Sequence, residues 1–250
     1  MNALAAELSK LKRSLSWVVA VLLPVVLVAT GSIMTLIDGR GLEDGWHTLW
    51  MRSIVFYGLF PLSVGIAILA SLVWRAEHRG SNWNALMAGP TPSLQIVIAK
   101  AAVISVLAAI MQVIVVVTTV ALGKIGFGLP GFLPTEYLAI SLLIILAGVP
   151  VAMLQSWLSM QMRSFAAPVA VAFLGAGFSA FLLVVGLDAA IFISPYAALS
   201  RATQLGTATF ADTGDITTGV IATITAACLL LSTLLAAANT VVLERADART

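Results

Sequence analysis

Long apolar runs separated by short polar segments dominate the hydropathy pattern of the chain. Each run holds about 20 mostly apolar residues, the length that a helix needs to cross the hydrocarbon core of a bilayer. The pattern therefore predicts an all-α membrane protein that forms one domain, residues 1–250, with six transmembrane helices. The predicted spans cover residues 15–37, 51–73, 96–122, 137–158, 165–187 and 217–243.

Residues 1–14 predict a short amphipathic helix ahead of the first span. Its apolar positions recur at helical spacing, at Leu4, Leu8, Leu11 and Leu15. Such a helix can lie along the membrane surface; the alternative is a frayed basic terminus that only sets the orientation. A signal peptide would also begin with basic residues, but the apolar run continues to Ile37, which is too long for a typical signal core.

Four prolines lie inside predicted spans, at Pro24, Pro61, Pro150 and Pro168. Each removes a helix hydrogen bond, so we expect a bend or an interruption of the helix there.

Residues 188–216, between the fifth and sixth spans, are long for a connector and half apolar. A long connector of this kind is more often functional or partly inserted than idle.

Composition agrees with a membrane protein and excludes a soluble one. The chain is 60% hydrophobic and 10% charged, whereas soluble domains carry roughly a quarter charged residues. Its single cysteine, Cys228, lies in an apolar run. The sequence therefore predicts no disulfide framework and no metal site built from several cysteines.

The distribution of lysine and arginine predicts the orientation. If the N-terminus is cytoplasmic, nine of these residues lie on the cytoplasmic side and four lie outside. The two groups are Lys10, Lys12, Arg13, Arg75, Arg79, Lys100, Arg163, Arg245 and Arg249 inside, and Arg40, Arg52, Lys124 and Arg201 outside. Because cytoplasmic loops carry the excess of positive charge, both termini are predicted to be cytoplasmic.

The residues do not indicate an enzyme. The sequence has neither a His-Glu-x-x-His pair nor a Gly-x-Ser-x-Gly elbow, and it has no Gly-x-x-x-x-Gly-Lys-Ser/Thr phosphate loop. No catalytic residue, metal ligand or cofactor is therefore assigned to this chain, which cannot be an ATPase by itself.

An ion-coupled secondary transporter is the second hypothesis, and such carriers bury ionisable residues near the bilayer midplane. Here no Asp, Glu, Lys, Arg or His falls in the middle of any predicted span, and the polar residues that remain in the spans are neutral. These residues can bond between helices, which is the commoner role, or line a pathway. They are Gln112, Thr118, Gln155, Ser156 and Asn239.

The most unusual stretch is residues 74–100, between the second and third predicted spans. Charged residues come in quick succession and are followed by a predicted short helix, Asn82–Ala88, with Ser81 as its N-cap and Gly89-Pro90 as its stop. A partner could grip a short helix bounded in this way. The alternative is a polar loop with a solvated charge cluster.

The pattern Glu77-x-Arg79-Gly80-Ser81-x-Trp83-x-x-Leu86, followed by Pro90 and Lys100, resembles the first cytoplasmic loop of ABC-2 transporter permeases. The likeness is greatest to bacterial permeases of lantibiotic immunity and peptide-antibiotic resistance. The resemblance implies a short cytoplasmic coupling helix that sits in a cleft of the ATPase subunit. It also implies short external or re-entrant helices between spans five and six.

The resemblance assigns the ATPase-docking role to seven residues: Glu77, Arg79, Gly80, Ser81, Trp83, Leu86 and Met87. Trp83, Leu86 and Met87 would form the buried anchor of the contact, and Glu77 and Arg79 would orient it by charge. A different interpretation places Trp74 and Trp83 in the aromatic belt at the membrane interface.

The implied assembly is an exporter in the bacterial plasma membrane. Two permease subunits, identical or homologous, would pair over two ABC ATPase subunits, and ATP and Mg²⁺ would bind to those partners. The implied cargo is an antimicrobial peptide or a lipophilic drug, with no nucleic acid involved. A structural or sensory membrane subunit without transport of its own is the third hypothesis.

Overall fold

The computed structural model describes residues 3–11, 14–37, 41–79, 82–83, 91–209 and 216–247, and this part of the chain is helical without strands. We number nine α-helices along it. They are α1 (Ala3–Leu11), α2 (Ser16–Ile37), α3 (Trp46–Leu59), α4 (Pro61–Arg75), α5 (Ser93–Ala121), α6 (Thr135–Gln161), α7 (Ala166–Val184), α8 (Pro195–Gln204) and α9 (Thr218–Asp247).

Five of these helices, α2, α5, α6, α7 and α9, are each long and apolar enough to cross a membrane. Helices α3 and α4 meet the same criteria when they are taken together, with a bend of 50° between them. The fold is thus an all-α membrane protein, as predicted, with six spans if the bent pair counts as one.

The bent pair begins earlier than the second span predicted for residues 51–73. The helix begins earlier, at Trp46, and breaks at Phe60, so that Pro61 occupies the first turn of α4. Proline is well tolerated there, because the first N–H groups of a helix have no acceptor within it. Pro61 therefore interrupts the span, as the sequence suggested.

The other prolines have unequal effects. Pro24 and Pro150 lie inside α2 and α6, where they remove a helix hydrogen bond. Pro168 lies in the first turn of α7, where a missing N–H costs nothing. The prediction of a bend at Pro168 was wrong for that reason.

Helix α6 is the centre of the bundle and packs against α4, α5, α8 and α9. Its inward positions include small residues, Ala147, Gly148 and Ala152, which let neighbouring helices approach closely. Helices α2 and α9 lie at the periphery and leave much of their apolar surface exposed.

The described part of the connector between α7 and α9 contains two short helical segments. It contains a 3₁₀ turn, Asp188–Phe192, and helix α8, of which nearly every residue is buried. The Tyr196 hydroxyl accepts a hydrogen bond from Gln155 Nε2 on α6, and the Tyr196 ring fills the space beside Gly175 on α7. The short helices predicted here are present, and α8 is packed within the bundle.

Candidate functional site

Four charged side chains form a buried ion cluster at one end of the bundle. Glu77 follows the end of α4, Lys100 lies two turns into α5, and Glu7 and Lys10 come from α1. The Oε1 atom of Glu77 accepts hydrogen bonds from Lys10 Nζ at 2.7 Å and from Lys100 Nζ at 2.9 Å. Segments distant in sequence therefore meet at one carboxylate.

The second carboxylate completes the cluster. Glu7 lies 2.7 Å from Lys10 Nζ through Oε1 and 3.0 Å from Lys100 Nζ through Oε2. Each ammonium group thus bridges both carboxylates, and the four formal charges cancel. The Lys100 side chain is 1% exposed, whereas that of Lys10 is 44% exposed, so the cluster has a buried cation and a cation at its edge.

The cluster shifts the protonation equilibria of two members. Burial alone would raise the pKa of Glu77, but the ammonium groups of Lys100 and Lys10 outweigh burial and hold this pKa below its ordinary value. Burial acts to lower the pKa of Lys10, and the hydrogen bonds to Glu7 and Glu77 overcome it, so that this pKa is raised. Both shifts favour the charged forms.

Trp74 connects the cluster to the central helix. Its ring lies 4.7 Å from Lys100 Nζ, within the range of a cation–π contact. Its Nε1–H donates a hydrogen bond to Ser156 Oγ on α6 at 2.9 Å. The end of α4 is therefore tied to α1, α5 and α6 together.

Three rings pack together beside the ion cluster, those of Trp74, His78 and Trp83. His78 stacks on Trp83, with ring centroids 5.8 Å apart and planes inclined by 8°. His78 Nε2 donates to the backbone carbonyl of Ser159 at 2.8 Å, and the Trp74 and Trp83 rings lie 6.2 Å apart. Trp83 is thus half-buried against the bundle.

The structure places the predicted docking residues in different environments. Glu77 is buried and paired inside the chain, so its carboxylate does not present a charge on the surface. Arg79 is exposed, and Trp83 is helical together with Asn82. Gly80, Ser81, Leu86 and Met87 lie outside the described residues, as does most of the predicted helix Asn82–Ala88.

The structure contradicts two alternative interpretations of this stretch in part. Trp74 is 1% exposed and bonded inside the protein, so its ring does not belong to an aromatic belt facing the membrane interface, whereas Trp83 is half-buried. Of the charge cluster, Arg75 and Arg79 are exposed, but Glu77 is buried beside lysines of other helices.

Four of the five neutral polar candidates bond between helices. Gln112 Nε2 donates to Ser141 Oγ, and Asn239 Nδ2 donates to the backbone carbonyl of Met153. Gln155 and Ser156 bond to Tyr196 and Trp74, as described above. Thr118 is half-buried on α5. A role for these residues in a pathway stays a prediction.

Sequence reasoning missed Glu7, Lys10 and Lys100 as partners of Glu77. The available signal was Lys100, which lies among apolar residues of α5 and needs an anionic partner if it is buried.

Within the described ranges, no three His, Cys, Asp or Glu side chains are grouped so that they could hold a metal ion.

Comparison of the sequence with known protein families assigns the chain to one of them. No curated protein and no solved structure matches the chain. Residues 3–179, well over half of the chain, match the family described as "ABC-2 family transporter protein". The matched region contains α1 to α6, all four members of the ion cluster and most of α7. The chain therefore belongs to the ABC-2 transporter family, whose members are membrane permeases and not themselves the ATPase.

Proposed function

We propose that this chain is the permease subunit of an exporter that takes its energy from a separate ABC ATPase, which binds the ATP and Mg²⁺. Membership of the ABC-2 family supports the pairing with an ATPase. The absence of a phosphate-binding loop from the sequence supports the separation of the two activities.

The segment after α4 is the proposed docking element for the ATPase. Trp83, Leu86 and Met87 supply apolar contacts, and exposed Arg79 adds a charged one. Glu77 has a different part in this proposal. It positions the segment by joining it to α1 and α5 through Lys10 and Lys100.

The ion cluster is the observation that carries the proposed mechanism. Movement of the docking element would reach α5 through the contact between Glu77 and Lys100, and α6 through the hydrogen bond from Trp74 to Ser156. Transport by such a subunit requires that the helix bundle adopt at least two conformations. The ATPase changes the relative populations of these conformations. The break at Phe60–Pro61 offers a hinge between α3 and α4.

The proposed assembly contains two permease subunits, identical or homologous, above two ATPase subunits. It lies in a bacterial plasma membrane with both termini in the cytoplasm, in keeping with the lysine and arginine count. The proposed cargo is an amphipathic antimicrobial peptide or a lipophilic drug, as in lantibiotic immunity and antibiotic resistance. The neutral, largely apolar interior of the spans supports a cargo of this kind.

The docking proposal is tested with Trp83→Ala in the tagged full-length chain, purified from its native membrane. Trp17→Ala is the matched control, because Trp17 is a partly exposed tryptophan at the start of α2. We expect Trp83→Ala to reduce both the amount of co-purified ATPase and its ATP hydrolysis, while Trp17→Ala preserves both. An intact complex with normal hydrolysis in Trp83→Ala would remove Trp83 from the interface.

A further inference from the structure

A second site lies beside the ion cluster, between the end of α4 and the turn that joins α6 to α7. It is a cleft of about 440 Å³, lined in part by Arg75, Arg79, Arg163, Ser164 and Phe165. This volume lies within the range of sites that bind small molecules, roughly 300–1,000 Å³.

The described lining of the cleft is strongly positive. It contains three arginines and, within the part of the chain that the structure describes, no aspartate or glutamate. Among the described residues, Arg75, Arg79 and Arg163 form no ion pair. This contrasts with the neighbouring cluster, where every lysine has two carboxylate partners.

The residue types favour a phosphate group as the ligand. A guanidinium group presents parallel N–H donors that match two phosphate oxygens. It is also weakly hydrated, so it gives up little hydration free energy when it contacts an anion. The Ser164 hydroxyl adds a neutral donor at the rim of the cleft. Helix α7 begins there without a side-chain cap, and the start of a helix further favours negative charge.

An apolar surface continues from this cleft along the outside of the bundle. Phe165 at the rim is 43% exposed, and α7 carries a row of exposed large apolar side chains. They are Phe173, Leu174, Phe178 and Phe181. A ligand with a phosphate at one end and hydrocarbon chains at the other would match the cleft and this surface together.

We propose that the cleft binds the headgroup of an anionic phospholipid from the cytosolic leaflet, with the acyl chains lying along α7. The orientation follows from the lysine and arginine count, which places this end of the bundle in the cytoplasm. Cytosolic leaflets are rich in anionic lipid, and basic pockets between transmembrane helices bind such headgroups. The lipid would stabilise the start of the docking element, which carries His78 and Arg79.

The test uses the purified full-length chain and native mass spectrometry, with phosphatidylglycerol and phosphatidylcholine as probes. The variant is Arg75→Gln with Arg163→Gln, since neither residue belongs to the proposed docking element. The matched control is Arg245→Gln, an exposed arginine near the end of α9. The single variant Arg163→Gln, on an exposed turn, serves if the double variant does not fold.

We expect the double variant to lose the preference for phosphatidylglycerol over phosphatidylcholine by roughly twentyfold, because each arginine near an anionic surface contributes a factor of about five. Arg245→Gln keeps the preference. Unchanged retention of phosphatidylglycerol in the double variant would overturn the proposal. Two other results would do so as well. Displacement of the lipid by inorganic phosphate alone would indicate a soluble ligand. In the co-purification assay described for Trp83→Ala, loss of the ATPase from the double variant with lipid retention intact would assign the arginines to the ATPase contact.

Discussion

Glu77 and Lys100 form an ion pair with 2.9 Å between Oε1 and Nζ, and both side chains are buried. They lie on opposite sides of the segment that connects the second and third spans. The pair therefore closes the base of the proposed docking element and fixes where the chain leaves α4 and enters α5.

The two lysines of the cluster should differ in their contribution to stability. Lys100→Met leaves two buried carboxylates with one cation at the edge, so we expect a loss of about 3 kcal/mol in the free energy of unfolding. Lys10→Met also leaves one cation for two buried carboxylates, but the remaining cation is the buried one and the lost side chain is 44% exposed, so its loss should be smaller, about 1–2 kcal/mol. Unfolding of the purified variants in detergent measures both, and equal losses would contradict the burial argument.

The hydrogen bond between Trp74 and Ser156 gives a second prediction. Trp74→Phe keeps an aromatic ring near Lys100 but removes the Nε1–H donor, and Ser156→Ala removes the acceptor. Ser156→Ala should cost about 1 kcal/mol because it removes the bond. Trp74→Phe should cost more, because the smaller ring also leaves a cavity at a buried position. The double variant should cost less than the sum of the two single variants. Fully additive losses in a double-mutant cycle would show that the two side chains act independently.

The spans were predictable because insertion of a helix into lipid depends on its composition averaged over about 20 residues. The residue at which the second span begins could not be predicted in this way. The predicted span began at residue 51, after a short polar stretch, but His47 Nδ1 and the Tyr137 hydroxyl form a hydrogen bond of 2.6 Å, and Trp46 donates to the Pro130 carbonyl. Satisfied polar groups allow α3 to begin at Trp46.

The candidate site was predictable only in part. The resemblance pointed to residues 77–87, whereas the partners of Glu77 are set by tertiary packing across 67 positions to Lys10. Spacing along one helix cannot reveal such pairs. The resemblance implied short helices between spans five and six, but hydropathy alone does not place α8, since its polar residues are buried by neighbouring helices.

A close helix crossing gives a third prediction. A Cβ atom added to Gly31 on α2 would lie 2.6 Å from the backbone carbonyl oxygen of Arg52 on α3, and a backbone atom cannot move aside as a flexible side chain can. At Gly148 on α6 the nearest atom would be 3.9 Å away. We expect Gly31→Ala to destabilise the protein by about 2 kcal/mol, and Gly148→Ala to be neutral or stabilising by up to about 1 kcal/mol. Thermal unfolding in detergent compares the two, and tolerance of Gly31→Ala would rule out the close approach of α2 and α3.

The lowered pKa of Glu77 predicts how the cluster responds to acid. A carboxylate whose pKa is lower in the folded state stabilises the fold at any pH above its ordinary pKa of 4.5. It loses that contribution as the pH falls through the pKa of the folded state. The raised pKa of Lys10 keeps the opposite charge in place until the pH exceeds its ordinary value of 10.5. The stability difference between the wild type and Glu77→Gln should therefore be constant around neutral pH and shrink below 4.5. Glu244→Gln is the control, because Glu244 is exposed near the end of α9 and forms no ion pair with a described residue. Melting temperatures measured across this pH range check the prediction, and a difference that persists in acid would show that the Glu77 charge does not hold the cluster together.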